Sequence, residues 1–246
     1  MMASLWQFFA VFIRVGALVS LMPGFGERTV PTRIKLVIAL AFTLIAFPAV
    51  NIPQIDNSMV SIARLTVTET LSGLMLGLGI RMFILALQTA GSIAGQSTSL
   101  AQILGSAAAD PVPAMGYILV IGAIALAVMS GLHVKATQMI VISYEFLPLG
   151  SLPDGSVFSE WGLDQVRRCF TLAFTLAAPF VLISVLYNLA LGVINKAMPQ
   201  LMVAFVGAPV ITAAGLLILC MVAPLILATW LTMVDEFIAN PFKAIP

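Results

Sequence analysis

Six long apolar segments dominate this sequence and leave it few ways to fold. They cover residues 3–22, 33–50, 60–88, 114–142, 167–194 and 201–231. Most of them reach the roughly 20 apolar residues that an α-helix needs to cross a bilayer. Within a bilayer every spanning segment has to satisfy its own backbone hydrogen bonds, which a helix does. The sequence therefore predicts an all-α, polytopic membrane protein of about six long, partly kinked helices in a single membrane domain, 1–246.

The composition supports this class and excludes two others. Only 9% of the residues are charged and 61% are hydrophobic, whereas soluble domains carry about 25% charged residues. The net charge of +1 offers no basic surface for phosphates, so we expect no nucleic-acid partner. No Lys or Arg precedes Leu5, and a second apolar segment follows closely. We therefore expect residues 3–22 to remain in the mature chain and not to act as a cleaved signal peptide.

The third segment is too long for a simple span. A helix over residues 60–105 would be about 69 Å long, more than twice the thickness of the hydrocarbon core. We expect it to bend, break or protrude, with Gly91 and Gly95 as candidate hinges.

Charge placement indicates an orientation. The first connection carries Arg28, Arg33 and Lys35, whereas the connection at 143–164 is mainly acidic. The positive-inside rule places the first connection in the cytoplasm. With six spans, both termini then lie on the opposite side.

Small and polar residues form a stripe along the third segment. They recur at steps of three, four or seven and so lie near one helical face. Its members are Thr66, Thr70, Gly73, Gly77, Arg81, Gln88, Ser92, Gly95, Ser99 and Gln102, with Gln96 beside them. One interpretation is a packing seam between helices, which is favoured for the first half. The other is a surface lining an aqueous channel. Both interpretations remain open from Gln88 to Gln102.

Four ionisable residues lie inside apolar segments: Arg14, Glu69, Arg81 and Lys135. Charges at such positions are costly and are functional candidates by default. The simpler hypothesis is a set of structural pairs, for example Glu69 with an Arg of a neighbouring helix. No ladder of acidic groups suggests a proton relay.

No pattern indicates catalysis, a metal site or a cofactor. His133 has no second His at helical spacing, and no serine lies in a GxSxG elbow. Cys169 and Cys220 stand alone in apolar runs and are interpreted as ordinary buried cysteines. We expect no enzyme activity and no bound metal or cofactor.

The connection before the fourth segment combines small residues with stiff prolines. It consists of Leu104, Gly105, Ser106, Ala107, Ala108, Ala109, Asp110, Pro111, Val112 and Pro113. One interpretation is a plain solvent-exposed loop. The other is a constriction that small side chains allow to close tightly and reopen.

Several stretches together resemble the FliR-type subunits of flagellar export gates and their virulence-secretion counterparts. They are Arg14–Gly16 leading into Pro23–Gly26, then Val30–Lys35, Leu76–Gly79, Gln88–Gln102, and Asn188–Gly192 followed by Ala197–Gln200. The last pair of stretches is the most specific, and the resemblance covers nearly the whole chain. One departure is Met202, where similar proteins often have Asn.

The resemblance implies a role in protein export. A FliR-like chain would be the single-copy core subunit of a hetero-oligomer with FliP-like and FliQ-like subunits, next to an FlhB-like subunit. The assembly would pass unfolded flagellar proteins across the bacterial inner membrane within the flagellar basal body. Residues 1–142 would be the FliP-like part, 143–166 a connecting loop, 167–231 a FliQ-like helical hairpin and 232–246 a short tail.

The resemblance also assigns two sites. The loop from Leu104 to Pro113 would be the channel's plug. A cytoplasmic entrance turn would be formed by Lys196, Ala197, Met198, Pro199 and Gln200. A flagellar apparatus is favoured over a virulence apparatus. The alternatives are a polytopic small-solute or ion transporter and an intramembrane enzyme.

Overall fold

A computed structural model describes residues 2–50, 58–98, 114–151, 154–198 and 203–242. Seven α-helices make up most of these ranges: α1 Met2–Leu21, α2 Thr32–Ala46, α3 Met59–Thr98, α4 Ala114–Met129, α5 Leu132–Phe146, α6 Gly155–Ala197 and α7 Val203–Ala239. A 3₁₀ turn at Phe47–Ala49 extends α2. The described ranges contain no strand, so the predicted all-α class is confirmed.

Six apolar helical units correspond to the six apolar segments of the sequence. Four windows are long and apolar enough to cross a membrane: Thr32–Ala49, Met59–Ser97, Gly155–Ala197 and Val210–Ala239. A fifth is the pair formed by α4 and α5, which pass the same test together but bend by 72° at the break between them. The sixth, at Leu5–Leu21, is apolar but shorter. This arrangement is that of a polytopic membrane protein.

The bend between α4 and α5 depends on one glycine. Gly131 has a φ of 84°, in the left-handed region that glycine enters without the steric cost of a β-carbon. Its carbonyl oxygen then accepts hydrogen bonds from the backbone N–H groups of Val134, at 2.9 Å, and Lys135, at 3.1 Å. Gly131 therefore starts α5 in a new direction and kinks the segment predicted at 114–142.

The hinge expected in the third segment is not found. α3 is a single helix of 40 residues, Met59–Thr98, about 60 Å long, and it continues through Gly91 and Gly95. Of the three outcomes expected for this segment, bending, breaking or protruding, a break at these glycines is excluded. Gly91 serves close packing instead, because a β-carbon there would overlap the backbone of Gly116 in α4.

The connection before α6 is shorter than the sequence suggested. Residues 143–166 were expected to form a loop, but α5 extends to Phe146 and α6 already begins at Gly155. α6 then runs for 43 residues with Pro179 inside it. The acidic residues of this stretch lie largely on the first turns of a helix.

The chain divides into two compact units. Unit 1 comprises Met1–Phe83, Leu126–Arg167 and Thr232–Pro246, and unit 2 comprises Ile84–Ala125 and Arg168–Leu231. Each unit is assembled from separate stretches of sequence. This division does not follow the boundary between residues 1–142 and 167–231, so the FliP-like and FliQ-like parts stay a prediction.

Unit 1 packs α1 closely against α3. Val15 and Leu18 of α1 are fully buried. A β-carbon on Gly73 of α3 would overlap the carbonyl oxygen of Arg14, and one on Gly77 would lie 3.0 Å from the carbonyl oxygen of Leu18. The two glycines thus allow the helices to approach at backbone distance. The packing interpretation is confirmed for this part of the stripe.

The C-terminal end of the chain also belongs to unit 1. Phe237 is buried there. The indole Nε1 of Trp161 donates a hydrogen bond to the carbonyl oxygen of Pro241 at 2.8 Å. The rings of Phe146 and Phe242 lie 5.3 Å apart. Unit 1 is therefore completed by residues close to the end of the sequence.

Candidate functional site

Arg14 and Glu69 form a buried ion pair within unit 1. Both side chains are fully buried. Arg14 Nε donates to Glu69 Oε2 at 2.8 Å, and Arg14 Nη2 donates to Glu69 Oε1 at 3.1 Å. This bidentate contact is the strongest geometry available to an arginine and a carboxylate. The prediction that Glu69 pairs with an Arg of a neighbouring helix is confirmed.

The guanidinium group of Arg14 makes further contacts with α5 and the turn after it. Nη1 donates to Ser143 Oγ at 3.0 Å, and Nη2 donates to the carbonyl oxygen of Leu147 at 2.9 Å. Arg14 Cζ lies 3.7 Å from the centre of the Tyr144 ring, which adds a cation–π contact. The charge is therefore surrounded by partners on more than one side.

The carboxylate of Glu69 is equally well satisfied. The Tyr144 hydroxyl donates to Oε2 at 3.2 Å, and the backbone N–H of Gly150 donates to Oε1 at 3.2 Å. A buried charge is tolerated only when its partners replace the water that it has lost. This network meets that condition, and it joins α1, α3, α5 and the turn that follows α5.

Two further ion pairs connect elements of unit 1 at partly exposed positions. Arg81 Nη1 lies 3.2 Å from Glu27 Oε1. Lys135 Nζ donates to both carboxylate oxygens of Asp235, at 2.7 and 2.8 Å. The four ionisable residues predicted within apolar segments are thus all paired. These ion pairs connect different elements of unit 1 and have a structural role.

The threonines of the stripe bond within their own helix. Thr66 Oγ1 donates to the carbonyl oxygen of Ile62 at 2.9 Å, and Thr70 Oγ1 donates to that of Thr66 at 2.7 Å. Each hydroxyl is thereby satisfied by the preceding turn of α3, in a back-bond that helical geometry places within reach. Close packing here depends on the glycines.

The second half of the stripe lies in unit 2 and forms one helical face. Gln88, Ser92 and Gly95 are half-buried, and Gln96 is exposed. At 3.6 residues per turn they fall within about 100° of arc. Leu87, Ala90 and Ala94 are buried on the opposite side of the same helix. The polar side chains therefore occupy the side of α3 that the rest of unit 2 covers least.

The outer face of α3 changes character along the helix. Helical spacing places exposed leucines on this face up to residue 85: Leu71, Leu74, Leu78 and Leu85. From Gln88 onward the same face carries amides, a hydroxyl and a glycine. An apolar environment suits the first stretch and a hydrated one suits the second.

Parts of the predicted sites lie outside the described residues. This applies to Ser99 and Gln102 of the stripe, to the whole plug from Leu104 to Pro113, and to Pro199 and Gln200 of the entrance turn. Lys196 and Ala197 form the last turn of α6, and Met198 follows with 56% of its surface exposed.

α6 and α7 expose broad apolar surfaces. Only 33% and 22% of their span windows are buried, compared with 61% for α3. Outward-facing side chains include Phe174, Leu182, Leu186, Leu189 and Val193 on α6, and Leu217, Met221 and Leu225 on α7. Such surfaces require lipid or other protein as a cover.

The two cysteines are free, as predicted, but their burial differs from the prediction. Cys169 is partly exposed and Cys220 is exposed. Burial is wrong for Cys220 because α7 leaves most of its surface uncovered by the chain. Within the ranges described, no three His, Cys, Asp or Glu side chains come together as metal ligands.

Sequence reasoning missed the partners around the buried ion pair. Ser143, Tyr144 and Gly150 are 75 to 130 positions away from the residues they contact, so no local pattern connects them. The one available signal was the polar pair Ser143 and Tyr144 at the end of an otherwise apolar segment.

Several apolar helical spans with ion pairs between them define a polytopic α-helical membrane protein. The sequence profile described as "Bacterial export proteins, family 1" matches residues 5–237. The chain is similar to flagellar biosynthetic protein FliR of Caulobacter vibrioides, with 32% identity over 224 residues that cover 89% of each chain. It is also similar to FliR of Bacillus subtilis, with 30% identity over 87% of this chain and 85% of the relative. FliR of Escherichia coli is 28% identical, over 89% of this chain and 85% of the relative.

The chain therefore belongs to the FliR family of bacterial export proteins. With its apolar helices, it is a multi-pass membrane component of the flagellar export apparatus.

Proposed function

We propose that this chain is the single-copy core subunit of the flagellar protein-export channel in the bacterial inner membrane. It forms the channel together with FliP-like and FliQ-like subunits, and unfolded flagellar proteins pass through it. The observation that carries the proposal is the change from leucines to polar residues at Gln88 on the outer face of α3. A helix surrounded only by lipid gains nothing from amides on that face.

The chemistry of this face suits unfolded cargo. Gln88, Ser92, Gly95 and Gln96 carry no charge and no large apolar group. Amides and hydroxyls both donate and accept hydrogen bonds, so they tolerate many sequences and hold none of them strongly. A channel for proteins of varied sequence needs a surface of this kind.

The exposed faces of α6 and α7 support protein partners. Several helices of like composition, side by side, would cover the large side chains from Phe174 to Val193 and from Leu217 to Leu225. Helix association in a membrane depends on such side-chain packing. FliP-like and FliQ-like subunits fit this role, and an FlhB-like subunit fits the entrance turn from Lys196 to Gln200.

The plug is part of the same proposal. The segment from Leu104 to Pro113 follows the polar face of α3 in sequence. Its small residues can close a narrow passage without filling it permanently, and its two prolines limit the motion of one end. In this arrangement the chain has a gating and lining role and performs no catalysis.

Co-purification with the neighbouring subunits tests the function. The tagged chain, expressed with FliP-like and FliQ-like subunits and extracted in mild detergent, should give a hetero-oligomer in native mass spectrometry that contains one copy of this chain. A stable homo-oligomer that moves a small solute in liposomes would contradict the proposal and support a transporter instead.

A further inference from the structure

We infer that the outer face of α2 and the connection before it bind an anionic phospholipid. The head-group phosphate would lie at Arg28 and Arg33, and one acyl chain would follow α2. This inference goes beyond the proposed function and does not depend on it. It rests on three observations: unpaired positive charge, an exposed apolar stripe on the same face, and the length of that stripe.

The connection between α1 and α2 carries unpaired positive charge. Arg28 and Arg33 are exposed, and neither has an ion-pair partner among the residues that the structure describes. The one acidic side chain beside them, Glu27, is already paired with Arg81 at 3.2 Å. A negatively charged ligand is therefore needed to balance this surface.

Lys35 adds to the same positive region. Its Nζ donates to the carbonyl oxygen of Gly26 at 2.8 Å, a neutral acceptor that leaves the charge uncompensated. This contact ties the first turn of α2 to the end of the α1 connection. The cationic residues of the two stretches are thereby held at the same end of α2.

Arg33 begins a continuous exposed stripe along α2. Residues three, four, seven and eleven positions further on share its helical face. All four are exposed leucines or valine: Leu36 at 52%, Val37 at 63%, Leu40 at 37% and Leu44 at 64%. Ala39, Thr43 and Ala46, on an adjoining side of the helix, are buried. A cationic group thus stands at one end of an apolar strip.

The length of the strip matches one leaflet. From Arg33 to Leu44 the rise is about 17 Å at 1.5 Å per residue, and half of a hydrocarbon core is about 15 Å. An acidic protein segment would satisfy the charges but would not use the strip. A phospholipid satisfies the charges and covers the strip. Its phosphate and acyl chain follow one another in the same order, and at the same spacing, as the arginines and the strip.

The expected orientation of the chain agrees with this ligand. The positive-inside rule places the α1–α2 connection at the cytoplasmic surface of the membrane. Basic side chains at that surface are attracted to anionic head groups.

Lipid retention in nanodiscs tests the inference. The full-length chain with its co-purifying subunits would be placed in nanodiscs of phosphatidylglycerol and phosphatidylcholine at varied ratios. Native mass spectrometry would then count retained phosphatidylglycerol. Three variants are compared: R28Q/R33Q, the charge-retaining R28K/R33K, and the control R64Q/R167Q. The control removes two exposed arginines from α3 and α6 and so matches the change in net charge.

Wild type should retain phosphatidylglycerol in preference to phosphatidylcholine. R28Q/R33Q should weaken this binding about 30-fold, because each Arg near an anionic surface contributes about a fivefold factor. R28K/R33K and the control should stay close to wild type. Circular dichroism and the yield of assembled complex check that each variant folds.

Three results would overturn the inference. They are the absence of a preference for phosphatidylglycerol in wild type, an equal loss in the control variant, and unchanged lipid retention in R28Q/R33Q. If that variant kept its lipid but lost a partner subunit, the surface would be assigned to an acidic protein segment instead.

Discussion

Gly91 in α3 and Gly116 in α4 lie with their backbones in contact, so that a β-carbon on Gly91 would overlap the Cα of Gly116. The carbonyl oxygen of Gln88, one turn before Gly91, would lie 3.4 Å from a β-carbon on Gly116. The polar face of α3 is therefore positioned by a glycine contact on the adjoining face. Any widening of that contact moves the residues proposed to line the channel.

Gly91→Ala should destabilise unit 2. The added methyl group meets backbone atoms, which cannot rotate away, and overpacking of this kind typically costs about 1–3 kcal/mol. We expect a lower thermal transition of the purified complex. Gly162→Ala in α6 is the matched control, because nothing lies within 4 Å of its β-carbon position. Equal stability of the two variants would contradict the close contact.

Removing one member of the buried ion pair should be far worse than replacing both. Arg14→Met or Glu69→Leu alone leaves a buried charge without its partner, which costs about 3–5 kcal/mol. The double replacement should recover much of that loss, since it leaves no charge behind. Protease resistance of the membrane-inserted chain measures the effect.

Arg167→Ala provides the comparison for the buried pair. Arg167 is 76% exposed and lies 3.8 Å from Asp164, and exposed pairs of this kind contribute about 0–1 kcal/mol. This variant should resemble wild type. A double variant at Arg14 and Glu69 that is no better than either single variant would show that the network's other hydrogen bonds dominate.

Gly131→Ala should straighten or weaken the kink between α4 and α5. Space is available there, since nothing lies within 4 Å of the β-carbon position. The cost arises from the positive φ of 84° and is about 1–2 kcal/mol. Asn tolerates this conformation better than Ala, so Gly131→Asn should be milder. Thermal melting of the three proteins gives the order, and identical transitions would contradict it.

Cysteine labelling tests the polar face of α3. In the assembled complex, a bulky thiol reagent on Gln88→Cys or Gln96→Cys should block export, because both positions lie on the proposed channel surface. Leu85→Cys is the control on the same helix, just before the change from leucine to polar residues. Labelling is done in a background with Cys169 and Cys220 replaced by Ser. Equal export after labelling all three positions would argue against a lining role.

Deleting Ser106 to Ala109 tests the plug. In the assembled complex the shortened loop should no longer close the passage, and the membrane should become permeable to small ions. Single-channel conductance in planar bilayers measures this. Replacing the same four residues by Gly-Ser-Gly-Ser keeps the length and is the control. Unchanged conductance in the deletion variant would place the constriction elsewhere.

Apolar segment length was enough to predict the helical spans, because a bilayer imposes one requirement on every segment that crosses it. The sites of bending were not predictable in the same way. Gly91 and Gly95 looked like hinges, but α3 stays helical through both, whereas Gly131 takes a positive φ at the bend between α4 and α5. A glycine inside an apolar segment allows either bending or close packing. Which of the two occurs depends on the helix packed against it, and the local sequence does not show that helix.

The sequence predicted that the charged residues inside apolar segments are paired, but not which further residues contact them. Arg14 and Glu69 had to be paired because neither is tolerated alone inside apolar surroundings. Their shared partners on α5 and the following turn depend on tertiary structure. The start of α6 was missed because Glu160, Asp164 and Arg167 resembled a polar loop. Their spacing of four and three is that of a helix face in contact with water.

The position of the C-terminal residues in unit 1 has a consequence for biogenesis. Trp161 contacts Pro241, which lies 80 positions later in the chain, and Phe146 contacts Phe242. The first helices of the chain therefore enter the membrane well before the residues that complete their packing have been made. Until Pro241 and Phe242 have been synthesised, these contacts of α5 and α6 cannot form, and the packing of unit 1 stays incomplete.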